Sequence, residues 1–459
     1  MLAKVKSIKM HPAQIIVFGF VALILLGGIL LTLPISTQPG HRVSFLDALF
    51  TSTSATCVTG LVVVDTSLTY TLFGQIVILL LIQFGGLGVM TVMTLMFIMI
   101  GKRITLSERM ILKEALNEFD LAGLVKMILK VIKVTVIAES LGALLLATRF
   151  VPLFGLKGVY FSVFHAVSAF CNAGFDVLGQ VSGEYSNMAM FKSDPVVMLT
   201  LSALIFFGGL GFVVVSEMFS VNRIKNRKKL SRYSKLVLVS NAFLIALGLI
   251  AVFSLELGNP ATLGGMDTNG KIFSGIFEVF TPRTAGFSSF NQGALMPATK
   301  LVVIVLMFIG ASPAGTGGGI KTTTAAIVAM FTLSGIFGHK DINLRERRVS
   351  EGTGRRAIVI TVASLMLVMV AAFILFAIEG HRGGLFTPEN LLFEVVSAFG
   401  TVGLSAGVTP DLSAVSEIVL ILVMLAGRVG LVTLVISLSS RAGQNHTGIR
   451  YPEERFMVG

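Results

Sequence analysis

Ser52 to Leu61, STSATCVTGL, is the stretch on which the rest of the chain turns, because it returns three more times. The later copies are Ala166 to Phe175 (AVSAFCNAGF), Glu278 to Phe287 (EVFTPRTAGF) and Val395 to Leu404 (VVSAFGTVGL). The ninth residue of every copy is glycine. Gly60, Gly174, Gly286 and Gly403 stand 114, 112 and 117 residues apart, which divides the chain into four units of similar length. One Ser/Thr/Gly stretch beside an apolar run is an ordinary loop; four at near-constant spacing mark a functional repeat.

Composition sets the solvent. With 54% hydrophobic residues, 13% charged residues and a mean hydropathy of +0.88, the chain is an integral membrane protein. Runs long enough to cross about 30 Å of hydrocarbon occur at Ile15 to Leu33, Leu72 to Ile100, Pro195 to Ser216, Leu236 to Leu255, Leu301 to Ile320 and Ala357 to Ile378. Two more carry ionisable groups: Val131 to Val151 holds Lys133 and Glu139, and Ile418 to Ser440 holds Arg428. Eight spans result. The N-terminal run is long and no A-x-A site follows it, so it reads as a retained first span. The two cysteines, Cys57 and Cys171, say nothing of redox compartment.

The net charge of +12 gathers in alternate connections. Lys4, Lys6 and Lys9 precede the first span; Lys102, Arg103, Arg109 and Lys113 follow the second; Arg223, Lys225, Arg227, Lys228, Lys229 and Arg232 follow the fourth; Lys340, Arg345, Arg347, Arg348, Arg355 and Arg356 follow the sixth. The other connections carry acids, among them Asp65, Asp176, Asp194, Asp267 and Asp411. The positive-inside rule makes the basic side cytoplasmic, and both termini with it. Topology and lipid headgroups account for this charge, so no nucleic-acid partner is expected.

Each unit reads as a span, the repeated stretch and a second span, with units over residues 1–110, 111–225, 226–345 and 346–440 and a cytoplasmic tail over 441–459. Ala48 to Ser54, Val163 to Phe170, Phe273 to Phe280 and Phe393 to Phe399 are too short to cross and too apolar for surface loops. They read as half-helices of re-entrant pore loops, since irregular backbone at membrane depth must be buried in protein or line a cavity. The expected fold is all-α, eight transmembrane helices as four membrane-pore-membrane repeats around a pseudo-fourfold axis.

A dehydrated cation needs oxygen ligands, and rings of backbone carbonyls supply them. Glycine permits the dihedrals that turn carbonyls inward, and half-helices aiming their C-terminal ends at the centre add partial negative charge. The candidate filter comprises Thr56, Cys57, Val58, Thr59 and Gly60 in unit 1; Cys171, Asn172, Ala173 and Gly174 in unit 2; Thr284, Ala285 and Gly286 in unit 3; and Thr401, Val402 and Gly403 in unit 4. The structural reading of Cys57 and Cys171 is small size. Arg283, inside the third copy, is expected to point away and pair with an acid such as Glu278. His165 and Glu394 are expected to make hydrogen bonds on their pore helices and to bind no ion.

The second spans share a motif: Phe84-Gly85-Gly86-Leu87-Gly88, Phe207-Gly208-Gly209-Leu210-Gly211 and Gly427-Arg428-Val429-Gly430-Leu431. Arg428 stands where the first two units have Gly86 and Gly209. It either points into the conduction path below the filter, the favoured reading, or forms a buried pair with a residue such as Glu139. Unit 3 differs. As one helix, Lys300 to Gly338 would be roughly 57 Å long at about 1.5 Å per residue, and Gly310, Ala311, Ser312, Pro313, Ala314, Gly315, Thr316, Gly317, Gly318 and Gly319, followed by Ile320 and Lys321, cannot sustain a helix. This segment is the candidate gate. Its likeness to a phosphate loop fails at Ile320, where glycine is required, and no strand precedes it.

In these motifs the chain resembles the Trk/Ktr/HKT superfamily of potassium transporters, over Ile15 to Ser440, and most of all the membrane subunits of the bacterial Ktr system. The resemblance implies K+ uptake across a bacterial cell membrane, a K+ site at the four glycines, with Gly60 in place of the serine of Na+-preferring members, a gating loop at Gly310 to Lys321, and a pore arginine at Arg428. It also implies a homodimer on a cytosolic ring of RCK-type (KTN) nucleotide-binding subunits, no organic cofactor, and Na+ as a candidate activator. Against a secondary carrier with inverted repeats stands the even number of spans per unit, which gives all four the same orientation. Against an enzyme stands the scatter of His11, His41, His165, His339, His381 and His446.

Overall fold

The computed structural model describes residues 12–88, 91, 124–219, 229–338 and 348–439. Most of the basic clusters named above, from Lys4 to Lys9, Lys102 to Lys113, Arg223 to Lys228 and Lys340 to Arg347, lie outside the described residues, as does the tail. Among the described residues the chain is helical and strandless, with isolated bridges such as Thr37 to Tyr70 and Ile309 to Ile320.

The first helices of the four units are Pro12–Leu31, Leu124–Phe154, Arg232–Glu256 and Glu351–Glu379. Each holds a window apolar enough to cross a membrane, with mean hydropathy of 2.7, 1.8, 2.6 and 2.9, yet at most a third of that window is buried in protein. Side chains such as Leu144, Phe243 and Phe373 therefore face outward. A helix apolar on all sides with one buried stripe is built for lipid.

The pore helices are Phe45–Cys57, Leu156–Phe170, Thr268–Phe280 and Pro388–Gly400, of 13 to 15 residues. They begin three to seven residues before the expected half-helices, and in units 1, 3 and 4 polar caps start them. Ser44 and Asp47 form a capping box, Asp267 accepts from Gly270 N at 3.2 Å, and Thr387 accepts from Asn390 N at 3.3 Å. In unit 2 no side-chain cap is present, since the pore helix follows its first helix across Gly155 alone.

The second helices depart from the uninterrupted spans expected at Leu72 to Ile100, Pro195 to Ser216 and Ile418 to Ser440. Leu72–Leu87 stops at Gly88; Pro195–Gly209 and Phe212–Met218 are bent by 106° about Gly211; Ala414–Val429 and Leu431–Ser439 part at Gly430. The three glycines have φ of +84°, +92° and +88°, left-handed geometry that ends an α-helix. In unit 3 the break is longer, between Pro297–Phe308 and Thr322–Ile336. Residues 89, 90 and 92–100 lie outside the described residues.

Polar contacts fasten the end of each first helix to the start of its second. They are Thr71 N to Ser36 O (2.9 Å), the ion pair Arg149–Asp194 (3.3 Å), Met296 N to Glu256 Oε1 (2.9 Å) and Ser413 N to Glu379 Oε1 (2.9 Å). The fourfold plan is thus held by three kinds of contact, with only units 3 and 4 alike.

Candidate functional site: a ring of four pore loops above a glycine loop

Each pore helix gives way to a segment in which every second residue is left-handed. Two residues before the repeat glycine, φ is +59° at Val58, +61° at Asn172, +72° at Thr284 and +48° at Thr401; at the glycines it is +94°, +71°, +75° and +92°. In an ordinary strand successive carbonyls alternate sides. Left-handed residues at alternate positions turn them to one side. Such backbone costs on the order of 1 to 3 kcal/mol at a non-glycine residue, most severely at the β-branched Val58, Thr284 and Thr401, and persists where surroundings enforce it.

The enforcement is visible. Ser54 Oγ accepts from Gly60 N and Ser397 Oγ from Gly403 N, each at 3.0 Å, while Ser168 Oγ donates to Phe175 O at 2.8 Å and Thr281 Oγ1 donates to Phe287 O. Glu278 accepts from Ser289 N and Oγ at 2.8 Å and from Gln292 Nε2 at 3.0 Å. Glu394 does the same for unit 4, accepting from Ser405 Oγ (2.6 Å), Ala406 N (2.8 Å) and Thr409 Oγ1 (2.7 Å). Sequence reading missed the hydroxyl braces. Their signal is positional: Ser54, Ser168 and Ser397 each stand six residues before the glycine.

The four segments close on one another in cyclic order. A Cβ at Gly60 would overlap the carbonyl oxygen of Ala173, one at Gly174 that of Ala285, one at Gly286 that of Val402, and one at Gly403 that of Thr59, all under 3.0 Å. Each glycine therefore lies against the carbonyl preceding the next unit's glycine. A side chain at any of the four would force the neighbouring backbone to move. All fifteen candidate filter residues are buried.

Outside the ring lies a cavity of about 420 Å³, lined by the four glycines and by Asp65, Asp176, Glu184, Tyr185 and Asn187. Asp65 is held by Ser67 N, Leu68 N and Tyr185 N at 2.9 to 3.0 Å. Burial, reinforced by the neighbouring charge of Asp65, pushes the Asp176 carboxyl up to about 7.

The opposite side of the ring meets the unit-3 segment Gly310 to Lys321. Ser312 N and Thr316 N donate to Gly209 O (2.9 Å) and Gly208 O (3.2 Å), and Phe212 N, freed by the unit-2 break, donates to Ala314 O at 2.9 Å. Thr316 Oγ1 donates to Phe170 O at 3.3 Å and Lys321 Nζ to Gly317 O at 2.8 Å. The broken helix of unit 2 is a seat for the loop of unit 3.

Arg428 reaches the same place. Its guanidinium donates to Thr316 O on the loop and to Gly85 O and, at 3.3 Å, Gly86 O in unit 1. Of the two readings offered by the sequence, the pair with Glu139 is not formed: Glu139 accepts from Gln83 Nε2 at 3.4 Å and lies 3.8 Å from Cys171 Sγ. Arg283 also departs from expectation. Glu278 is taken up by Ser289 and Gln292, whose N–H and hydroxyl groups it faces across the return strand, and Arg283 lies instead in a crevice with Gly209, Asn241, Phe280 and Ala311. His165 meets expectation, bonding Phe161 O at 2.7 Å.

A single chain that folds four membrane-pore-membrane repeats around a closed carbonyl ring, with a loop beneath it, is a membrane transport protein of the pore-loop class. The sequence family described as cation transport protein (TrkH) matches residues 5–446, and the chain belongs to it. It is 38% identical to the Ktr system potassium uptake protein B of Bacillus subtilis, over 99% of this chain and 98% of that one. It is also 38% identical to the potassium/sodium uptake protein NtpJ of Enterococcus hirae, over 98% of each. The fold resembles the crystal structure of the potassium transporter TrkH from Vibrio parahaemolyticus, with a TM-score of 0.72 at 16% identity over 96% of this chain and 87% of that one. The family is one of transporters and not of enzymes.

Proposed function

We propose that the chain is the ion-translocating subunit of a Ktr-type K+ uptake system. The carbonyls of Thr59, Ala173, Ala285 and Val402, with those of the residues around them, select K+, and the loop from Gly310 to Lys321, latched by Arg428, is the gate. The observation that carries this is the cyclic packing of each repeat glycine on the next unit's carbonyl, with left-handed residues at alternate positions. The names of the B. subtilis and E. hirae relatives support K+ as the ion and leave Na+ a part in the process. A homodimer in a bacterial cell membrane, regulated by a ring of cytosolic nucleotide-binding subunits and oriented with both termini cytoplasmic, completes the proposal.

The test is growth and K+ uptake in K+-depleted cells that lack their own importers. Wild type restores uptake, and deletion of Gly310 to Gly319 leaves a pathway that no longer closes. A well-expressed wild type that moves no K+ even beside a Ktr-type cytosolic partner would overturn the reading.

A further inference from the structure

The loop meets the inner side of the ring through two adjacent glycines. Gly318 N donates to Thr401 Oγ1 at 2.9 Å, and Gly317 lies so close to Thr284 Oγ1 that a Cβ there would overlap it. Thr284 and Thr401 are the left-handed residues of neighbouring units, each two positions before its glycine, and both are fully buried. The corresponding residue of unit 2, Asn172, pairs its side-chain amide with the Thr284 hydroxyl at 3.1 Å. One layer inside the glycines therefore collects two hydroxyls and an amide from three consecutive units.

A threonine hydroxyl carries two lone pairs, and here one lone pair of Thr401 is held by a backbone N–H. That N–H is the positive end of a dipole, the same polarity that a dehydrated cation presents to an oxygen ligand. We infer that the hydroxyls of Thr284 and Thr401 form an inner site for a dehydrated monovalent cation, and that Gly318 N–H stands in the ion's place, so that ion and loop compete for the same oxygen. The inference rests on the filter reading proposed above. The other ties of the loop, to Gly208 O, Gly209 O, Phe212 N, Phe170 O, Asn241 and Arg428, involve no ring oxygen. The Thr401 bond is the one that a cation can displace. Ligand linkage then works both ways: a cation in the inner layer weakens the loop's hold, and a seated loop weakens the layer's hold on the cation by the same factor.

Full-length protein in lipid vesicles tests this, with Ala314→Cys on the partly exposed part of the loop as reporter and a membrane-impermeant maleimide applied to the cytoplasmic face. Protein without the reporter gives the background from Cys57 and Cys171, both fully buried. Replacing choline by K+ is expected to speed labelling about fivefold, the scale of one net hydrogen bond. Thr401→Val, which removes the loop's acceptor, labels fast in both salts. Thr284→Val, which removes an ion ligand and leaves the loop's hydrogen bond in place, labels slowly in both, and Thr401→Ser behaves as wild type. Labelling that is indifferent to K+ in wild type, or a K+ effect that survives in Thr401→Val, overturns the inner site. K+ flux through the same vesicles separates the two layers of argument: wild type that carries K+ with indifferent labelling refutes this inference alone, and wild type that carries none refutes the filter reading with it.

Discussion

At Gly60 a side chain would collide with the carbonyl of Ala173, and a serine there would also bring its own hydroxyl to the ring. Gly60→Ser is expected to lower the preference for K+ over Na+ about tenfold, equivalent to about 1.4 kcal/mol, measured as the ratio of K+ to Na+ uptake at matched concentrations; an unchanged ratio would remove Gly60 from the filter. Asp176 acts one layer further out. Its carboxyl, pushed up to about 7 by burial and by Asp65, is anionic above that pH and neutral below it. A unit charge at about 7 Å in a water-like medium is worth about 0.6 kcal/mol, a factor of about three in local cation concentration. Apparent KM for K+ is therefore expected to rise about threefold as external pH falls through about 7. Asp176→Asn should hold the higher KM at every pH, and a variant that keeps the pH dependence would locate the titrating group elsewhere.

Among the elements, the pore helices of units 3 and 4 are each clasped to their return strand by a single carboxylate, Glu278 and Glu394. Glu394 gathers Ser405, Ala406 N and Thr409 of its own return strand, so Glu394→Ala leaves buried donors unpaired. A cost of about 2 to 4 kcal/mol is expected, read as earlier loss of the monodisperse peak on heating in detergent, and a variant as heat-stable as wild type would show that the clasp is not needed. Glu394 and its pore helix were legible in the sequence; its partners were not, because they lie 11 to 15 residues on and only the reversal at Gly403 brings them back. The same limit explains the misread pair of Arg283 and Glu278. Their closeness in sequence suggested an ion pair, but the acid faces the return strand and the arginine faces the second helix of unit 2. The repeat, the re-entrant helices and the broken second helix of unit 3 were readable because glycine and hydroxyl residues interrupt apolar runs. The breaks at Gly88, Gly211 and Gly430 went unread although the shared motif of the second spans contains all three, since hydropathy runs on unchanged through them and their positive φ appears only in the fold.

For the molecule as a whole, what matters is that four non-identical units close into one ring. Their supports differ, with an ion pair in one unit, carboxylate-to-amide contacts in two and a backbone contact in the fourth, and the layer beneath the glycines differs too, with Val58, Asn172, Thr284 and Thr401. At the glycine ring, by contrast, the units are alike. Each glycine meets its neighbour's carbonyl in the same way, so a methyl group added at any of them displaces the neighbouring carbonyl as well as its own strand. Gly60→Ala, Gly174→Ala, Gly286→Ala and Gly403→Ala are therefore expected to reduce K+ uptake alike, each by at least about a hundredfold, the rate equivalent of about 2.7 kcal/mol. Uptake per molecule of membrane-inserted protein is the measurement, with insertion checked separately for each variant. If one or two positions accept alanine at near wild-type uptake, the ion is held by fewer than four units, and the fourfold likeness of the chain is a matter of architecture without a shared site.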